Sequence, residues 1–143
     1  MMTFRYLLDT NVLSEIRKIK NGRANTGVVQ WAQTANKAEL CVSVITVLEL
    51  EKGCLLKQRH DPQQGSLLLH WFETVFLPEF ADKTLPVNTE IARLCARLHV
   101  PDKKPQFDSL IAATALHHDL ILLTRNTKDF SASGVKLFNP FSS

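Results

Sequence analysis

The chain lacks the features that would place it outside an ordinary globular class. No run approaches the roughly 20 consecutive apolar residues of a membrane span, and Arg5 and Asp9 interrupt the first apolar segment, so no secretory core can be drawn. Cysteine is sparse, with only Cys41, Cys54 and Cys95 present; they are widely spaced, odd in number and embedded among apolar residues. That pattern suits buried thiols in a reducing compartment rather than a disulfide framework, so a cytoplasmic location is expected. There is no Gly-x-x-x-x-Gly-Lys or Gly-x-Gly-x-x-Gly to cradle nucleotide phosphates, and no Gly-x-Ser-x-Gly elbow for a serine hydrolase. His60, His70, His99, His117 and His118 form no His-x-x-x-His pair and no Cys-x-x-Cys accompanies them, which argues against zinc. Repeats, low-complexity segments and internal boundaries are also missing. The 143 residues therefore read as one domain, 1–143. A net charge of +3 permits a polyanionic partner without demanding one.

Short apolar runs alternate with segments of helical period. Tyr6-Leu7-Leu8 reads as a buried strand that passes through Asp9-Thr10-Asn11 into a helix from Val12 to about Lys18. The basic stretch from Arg17 to Arg23 reads as a loop, and a helix carrying Val28, Val29, Trp31 and Ala32 follows. Leu40 to Ser43 is a second strand, with Ser43 placed to start a helix that runs to His60, where Asp61-Pro62 stops it. Gln63 to Phe80 is helical, and Thr84 to Val87 forms a third strand. Asn88 then caps a helix whose apolar stripe is Ile91, Leu94, Cys95 and Leu98. A proline-bracketed loop, Pro101 to Pro105, precedes an apolar helix opening at Asp108. Leu120 to Leu123 is the fourth strand, and Val135 to Phe138 an edge strand. Such alternation predicts an α/β fold, a parallel sheet covered on both faces, with functional groups gathered at the carboxyl ends of its strands.

Four acids stand where apolar runs end or break: Asp9, Glu49, Asp108 and Asp129. Each has a structural reading of its own. Asp9 and Asp108 can cap helices, Asp129 can be a loop acid, and Glu49 can pair with Lys52 or Arg59. Three of them at one sheet edge would repel and raise one another's pKa unless a counter-charge intervenes. A hard divalent cation, Mg²⁺ or Mn²⁺, resolves the conflict and keeps some of its waters. A metal-activated water attacking a phosphodiester is the chemistry that follows, because an acid-lined pocket excludes a polyanion unless metal is present. Basic residues flank the acid-bearing turns: Arg17, Lys18, Lys20 and Arg23; Lys103 and Lys104; Arg125 and Lys128. As solvated faces these clusters need no function, whereas as phosphate contacts they make binding salt-sensitive.

Four ordered segments carry a resemblance to a known family. They are Leu7 to Glu15, Ser43 to Gly53, Phe107 to Ala115 and Leu123 to Phe130. The chain resembles the PIN-domain ribonucleases, and among them the VapC/FitB-like toxins of bacterial toxin–antitoxin systems of the plasmid-stability type. The resemblance implies a three-layer α/β/α domain with a short central parallel sheet of four to five strands. It also implies a Mg²⁺-dependent endoribonuclease in which Asp9, Glu49, Asp108 and Asp129 are catalytic and Asp9 and Asp108 ligate the metal. Thr10, Asn11, Thr124 and Asn126 would orient those carboxylates. Asn126 is neutral where some relatives carry an acid, and Asp129 stands where toxin-like members place one. A homodimer and an antitoxin whose C-terminal segment occludes the acidic pocket are implied as partners, with RNA as substrate; Leu67, Leu68, Trp71, Phe72 and Phe76 can supply a dimer face or core. The competing readings are a non-catalytic RNA-binding or complex-forming PIN module and a phosphotransfer domain. The latter is disfavoured by Thr124-Arg125 where a receiver needs lysine, and by Asp9-Thr10-Asn11 where a phosphatase needs Asp-x-Asp.

Overall fold

The computed structural model describes residues 3–142. Its sheet contains β1 (Tyr6–Leu8), β2 (Leu40–Ser43), β3 (Thr84–Leu85), β4 (Ile121–Leu123) and β5 (Lys136–Phe138) in the order β3-β2-β1-β4-β5, all parallel. The helices are α1 (Thr10–Ile16), α2 (Thr26–Thr34), α3 (Val44–His60), α4 (Pro62–Trp71), α5 (Leu77–Glu79), α6 (Thr89–Leu98), α7 (Gln106–His117) and α8 (Thr127–Phe130).

Side chains alternate across a strand, and here the alternation divides neighbouring apolar residues between two cores. Leu8, Val42 and Leu123 join Val12, Leu13, Leu50, Phe72 and Phe76 on one face. Leu7, Cys41 and Leu122 join Ile45, Ile111 and Ala112 on the other. This explains why the strands read as continuous apolar runs: both faces are covered, which makes the domain the three-layer α/β/α expected. Complete burial of each such Leu contributes about 1.5–3 kcal/mol. The three cysteines are buried free thiols.

The caps at Ser43 and Asn88 form as read. Ser43 Oγ accepts from Ile45 N at 3.0 Å, and Asn88 Oδ1 from Ile91 N at 2.9 Å. Asp61 serves two helices: its N–H closes α3 on Lys57 O at 2.7 Å, and its carboxylate caps α4 at Gln64 N at 3.2 Å.

Several boundaries differ from the sequence reading. α1 starts at Thr10 rather than Val12, because Asp9 accepts from Thr10 N and serves as its cap. Asp108 does not open α7; the helix begins at Gln106, with Pro105 O accepting from Ser109 N at 3.0 Å, so Asp108 lies inside the first turn. The predicted helix from Gln63 to Phe80 contains a π-helical stretch, Phe72–Phe76. Its wider turn keeps residues four apart on nearly one face, and Phe72, Phe76 and Phe80 stack into the core with successive ring centroids 5.6 and 5.2 Å apart. Phe72 and Phe76 are therefore core residues, not a dimer face, whereas Leu67 is 60% exposed. The basic loop carries a 3₁₀ turn at Ile19–Asn21.

A C-terminal strap ties the last strand to α2. Asn25 Nδ2 donates to Ser142 O and Ser142 N donates to Asn25 Oδ1, both at 2.9 Å. A Cβ on Gly27 would lie 2.5 Å from both Pro140 O and Ser142 N, so the strap passes only because residue 27 has no side chain.

The α3–α4 hairpin is equally tight at Gly65, where an added Cβ would overlap the backbone of Gln58. Gly65→Ala is expected to lower unfolding free energy by about 1–3 kcal/mol through overpacking, read by urea denaturation. A variant as stable as the parent would contradict this packing.

Candidate active site

Because all five strands run the same way, β1, β2 and β4 deliver their C-terminal residues to one edge. β1 ends in Asp9, which is only 4% exposed. Its N–H donates to Leu123 O at 2.9 Å, which fixes the carboxylate beside the end of β4. Asp9 Oδ1 accepts from Thr10 N at 2.8 Å; Oδ2 accepts from Thr124 Oγ1 at 2.7 Å and from Asn11 Nδ2 at 3.0 Å. Burial raises the Asp9 pKa, and the bonds from Thr124, Thr10 and Asn11 only partly counter it. Among the described residues, no second donor takes the remaining lone pair of Oδ1.

Glu49 reaches the same edge from α3. Its Oε1 accepts from Thr10 Oγ1 at 2.7 Å, so Thr10 bridges Asp9 and Glu49. The Thr10 hydroxyl also lies 3.4 Å from Oγ1 of buried Thr46, which sequence reading passed over. Its signal was a threonine three residues before Glu49 in an apolar run, hence on the same helix face. That run is less buried than it reads, since Val44 and Leu48 are exposed. Glu49 pairs with neither Lys52 nor Arg59; its partner is Thr10.

Asp108 enters from α7. Burial, then the charges of Asp9, Glu49 and Asp129, push its pKa from 3.8 to about 6. The four acids named from sequence thus share one field, although they sit on separate elements. Asp129 is exposed on α8, and with Asp108 it lines a crevice of about 40 Å³ whose wall also includes Lys104 and Ser109. Asn126 is exposed and its side chain caps nothing; its backbone takes part instead, the N–H donating to Thr124 Oγ1 at 3.0 Å and the carbonyl accepting from Asp129 N at 3.1 Å.

No basic side chain neutralises this cluster. Among the described residues the ion pairs are Lys18–Glu15, His117–Glu90 and Lys136–Asp119. The basic candidates do not converge either. Lys18 is occupied by Glu15, while Arg17 and Lys20 line a separate apolar groove with Trp31 and Trp71. Arg125 lies over the Phe141 ring at 5.1 Å, its backbone N–H donating to Asn11 Oδ1 at 3.3 Å. Arg23, Lys103 and Lys128 are exposed. Among the described residues, no three His, Cys, Asp or Glu side chains form a group able to cage a metal unaided. The donors that do gather are oxygens only, which suits a hard cation held by one or two carboxylates and its own waters.

A five-stranded parallel sheet between helical layers, with carboxylates at its C-terminal edge, is the arrangement that the resemblance to the PIN domain implied. Residues 6–134 match the PIN domain family model, and the chain belongs to that family. Toxin FitB of Neisseria gonorrhoeae is 36% identical over 141 residues, covering 94% of this chain and 97% of the relative. VapC ribonuclease Y4jK of Sinorhizobium fredii is 33% identical over 140 residues, covering 94% and 96%. The crystal structure of FitAcB from Neisseria gonorrhoeae matches with a TM-score of 0.84 at 34% identity, covering 94% of this chain and 97% of that one. The resemblance seen in the four segments is therefore correct. Among the described residues no helix is long and apolar enough to cross a membrane.

In metal-free protein the Asp108 carboxyl is expected to titrate near pH 6. Since the folded pKa exceeds that of the unfolded chain, the contribution of Asp108 to stability is fullest at low pH and declines as pH rises from 3.8 to about 6. Carbon-detected NMR of the side-chain carboxyl reads the midpoint, and Glu49→Gln should lower it. A parent midpoint near 3.8 would remove the proposed coupling.

Proposed function

We propose that this protein is a Mg²⁺-dependent endoribonuclease that acts as the toxin of a toxin–antitoxin pair. The observation that carries the reading is a cluster of four acids, one of them buried, with none of which a Lys, Arg or His among the described residues forms an ion pair. The relatives named as a toxin and a ribonuclease support it.

Asp9 and Asp108 would hold Mg²⁺ or Mn²⁺, with Glu49 and Asp129 beside them. When bound, the cation supplies charge neutralisation at a phosphoryl oxygen and acidifies water near neutral pH. The remaining tasks fall to the chain itself. Thr124 and Asn11 hold Asp9 Oδ2, the Thr10 N–H holds Oδ1, and the Thr10 hydroxyl holds Glu49 Oε1. Glu49 Oε2 is then free to orient the attacking water and take its proton. In-line attack forms the new P–O bond as the bond to the leaving ribose oxygen breaks, and that oxygen takes up a proton. Arg125 and Lys128, exposed after β4, meet neighbouring phosphates on the approach.

The apolar groove beside α1, α2 and α4 encloses about 480 Å³ and includes Trp31, Trp71 and Phe76, with Arg17 and Lys20 also contributing. It suits an antitoxin segment with an apolar face and acidic flanks. A homodimer is the assembly we assign, with the exposed Leu48, Leu55 and Leu56 of α3 as its apolar surface.

Purified protein should cleave single-stranded RNA with Mg²⁺ or Mn²⁺ and stop in EDTA, with Asp9→Asn and Asp108→Asn each reducing kcat/KM on the order of a hundredfold or more. Undiminished cleavage by either variant would overturn the mechanism. Salt-sensitive RNA binding without metal-dependent cleavage would instead assign a non-catalytic PIN module.

A further inference from the structure

The loop joining α6 to α7 carries a cation to the acidic crevice and holds it with a single side chain. Among the described residues, Lys104 is the only Lys, Arg or His lining the crevice that Asp108 and Asp129 share. Its backbone N–H donates to His99 Nδ1 at 3.1 Å. His99 is itself fixed at the C-terminus of α6, where its N–H donates to Ala96 O at 3.2 Å. Among the described residues, Lys104 is the only one of residues 101 to 104 whose N–H donates a hydrogen bond. Between Pro101 and Pro105, the path of the loop therefore depends on that hook.

The hook dictates a protonation state. To accept from Lys104, His99 must be neutral with its proton on Nε2. Nε2 is buried and has no partner. A buried donor without an acceptor is unfavourable, and the fold retains it in the orientation that turns Nδ1 toward Lys104. Lys104 forms no ion pair with Asp108 or Asp129 among the described residues, although all three line one crevice. Its charge is left for something that arrives.

We propose that Lys104, held by His99 as a positioning residue, binds a phosphate of the RNA substrate at the Asp108 edge of the site. The proposal rests on the nuclease reading above and adds a contact to it. A phosphodiester approaching Asp108 and Asp129 meets two negative groups, and a lysine on the same wall offers a compact charge that a phosphate oxygen can reach. Arg125 is held by Asn11 and Phe141 and does not line the crevice, so Lys104 would engage a different phosphate along the strand.

The test is anisotropy of a short labelled single-stranded RNA with the full chain in EDTA over a range of NaCl, alongside kcat and KM in Mg²⁺. Lys104→Gln should weaken binding about fivefold, the value of one charge contact in water. It should flatten the salt slope by about 0.7, and it should raise KM while leaving kcat nearly unchanged, with Lys104→Arg restoring all three. His99→Leu should give the same pattern, His99→Asn should recover part of it through its amide oxygen, and the double variant should bind no more weakly than Lys104→Gln alone. Unchanged affinity and salt slope in Lys104→Gln would overturn the contact; additive losses in the double variant would overturn the role of His99. Should His99→Leu fail to fold, the Lys104 variants and His99→Asn still decide. If the parent binds RNA but cleaves none, the nuclease reading fails while the Lys104 contact stands.

Discussion

A carboxylate buried at the end of a central strand sets the terms for the rest of this site. Asp9 is shut away from water, and Asp108, Glu49 and Asp129 share its field. Repulsion of this kind is unfavourable in a folded protein unless something balances it. Hydrogen bonds from Thr10, Asn11 and Thr124 satisfy the Asp9 oxygens, but hydrogen bonding does not remove charge. The remaining imbalance appears at Asp108, the acid whose pKa rises to about 6. On the proposed reading, an arrangement unfavourable to the free protein becomes favourable once a divalent cation binds.

The fold brings the acids together through chain direction rather than through local contacts. Parallel pairing places the ends of β1 and β4 side by side, so that Leu123 O accepts from the Asp9 N–H and the hydroxyl of the next residue, Thr124, donates to the Asp9 carboxylate. Three helices supply the others: α3, which packs partly with the core that includes Leu8, carries Glu49; α7, packed with the core that includes Leu7, carries Asp108; and α8 carries Asp129. The site is thus coupled to both cores. A cavity opened at Leu7 or Leu8 would shift the carboxylate one or two residues away as well as costing stability.

Much of this was legible because strong local rules and tertiary context agree. The strand runs at Leu7-Leu8, Leu40 to Ser43 and Ile121 to Leu123, and the caps at Ser43 and Asn88, are short-range signals that nothing overrides. The acids were legible as polar interruptions of apolar runs. Other features depend on contacts that span the chain. The strap from Ser142 to Asn25 joins residues 117 apart, and Gly27 shows its purpose only when Pro140 lies across it. The π-helical stretch lies where Phe72, Phe76 and Phe80 all reach the core, and no local signal in the sequence marks it. The basic segments looked like one surface because they adjoin the acids in sequence; in space Arg17 and Lys20 belong to a separate groove and Lys104 to the crevice.

The most direct measurement is the thermal midpoint of the full chain and of Asp108→Asn, each with and without Mn²⁺ at neutral pH. If uncompensated repulsion is what the cation relieves, Asp108→Asn without metal melts at or above the parent, and Mn²⁺ raises the parent's midpoint while leaving the variant's nearly unchanged. A metal-free variant that melts well below the parent, together with a parent indifferent to Mn²⁺, would show that the acids are structural and would contradict the account.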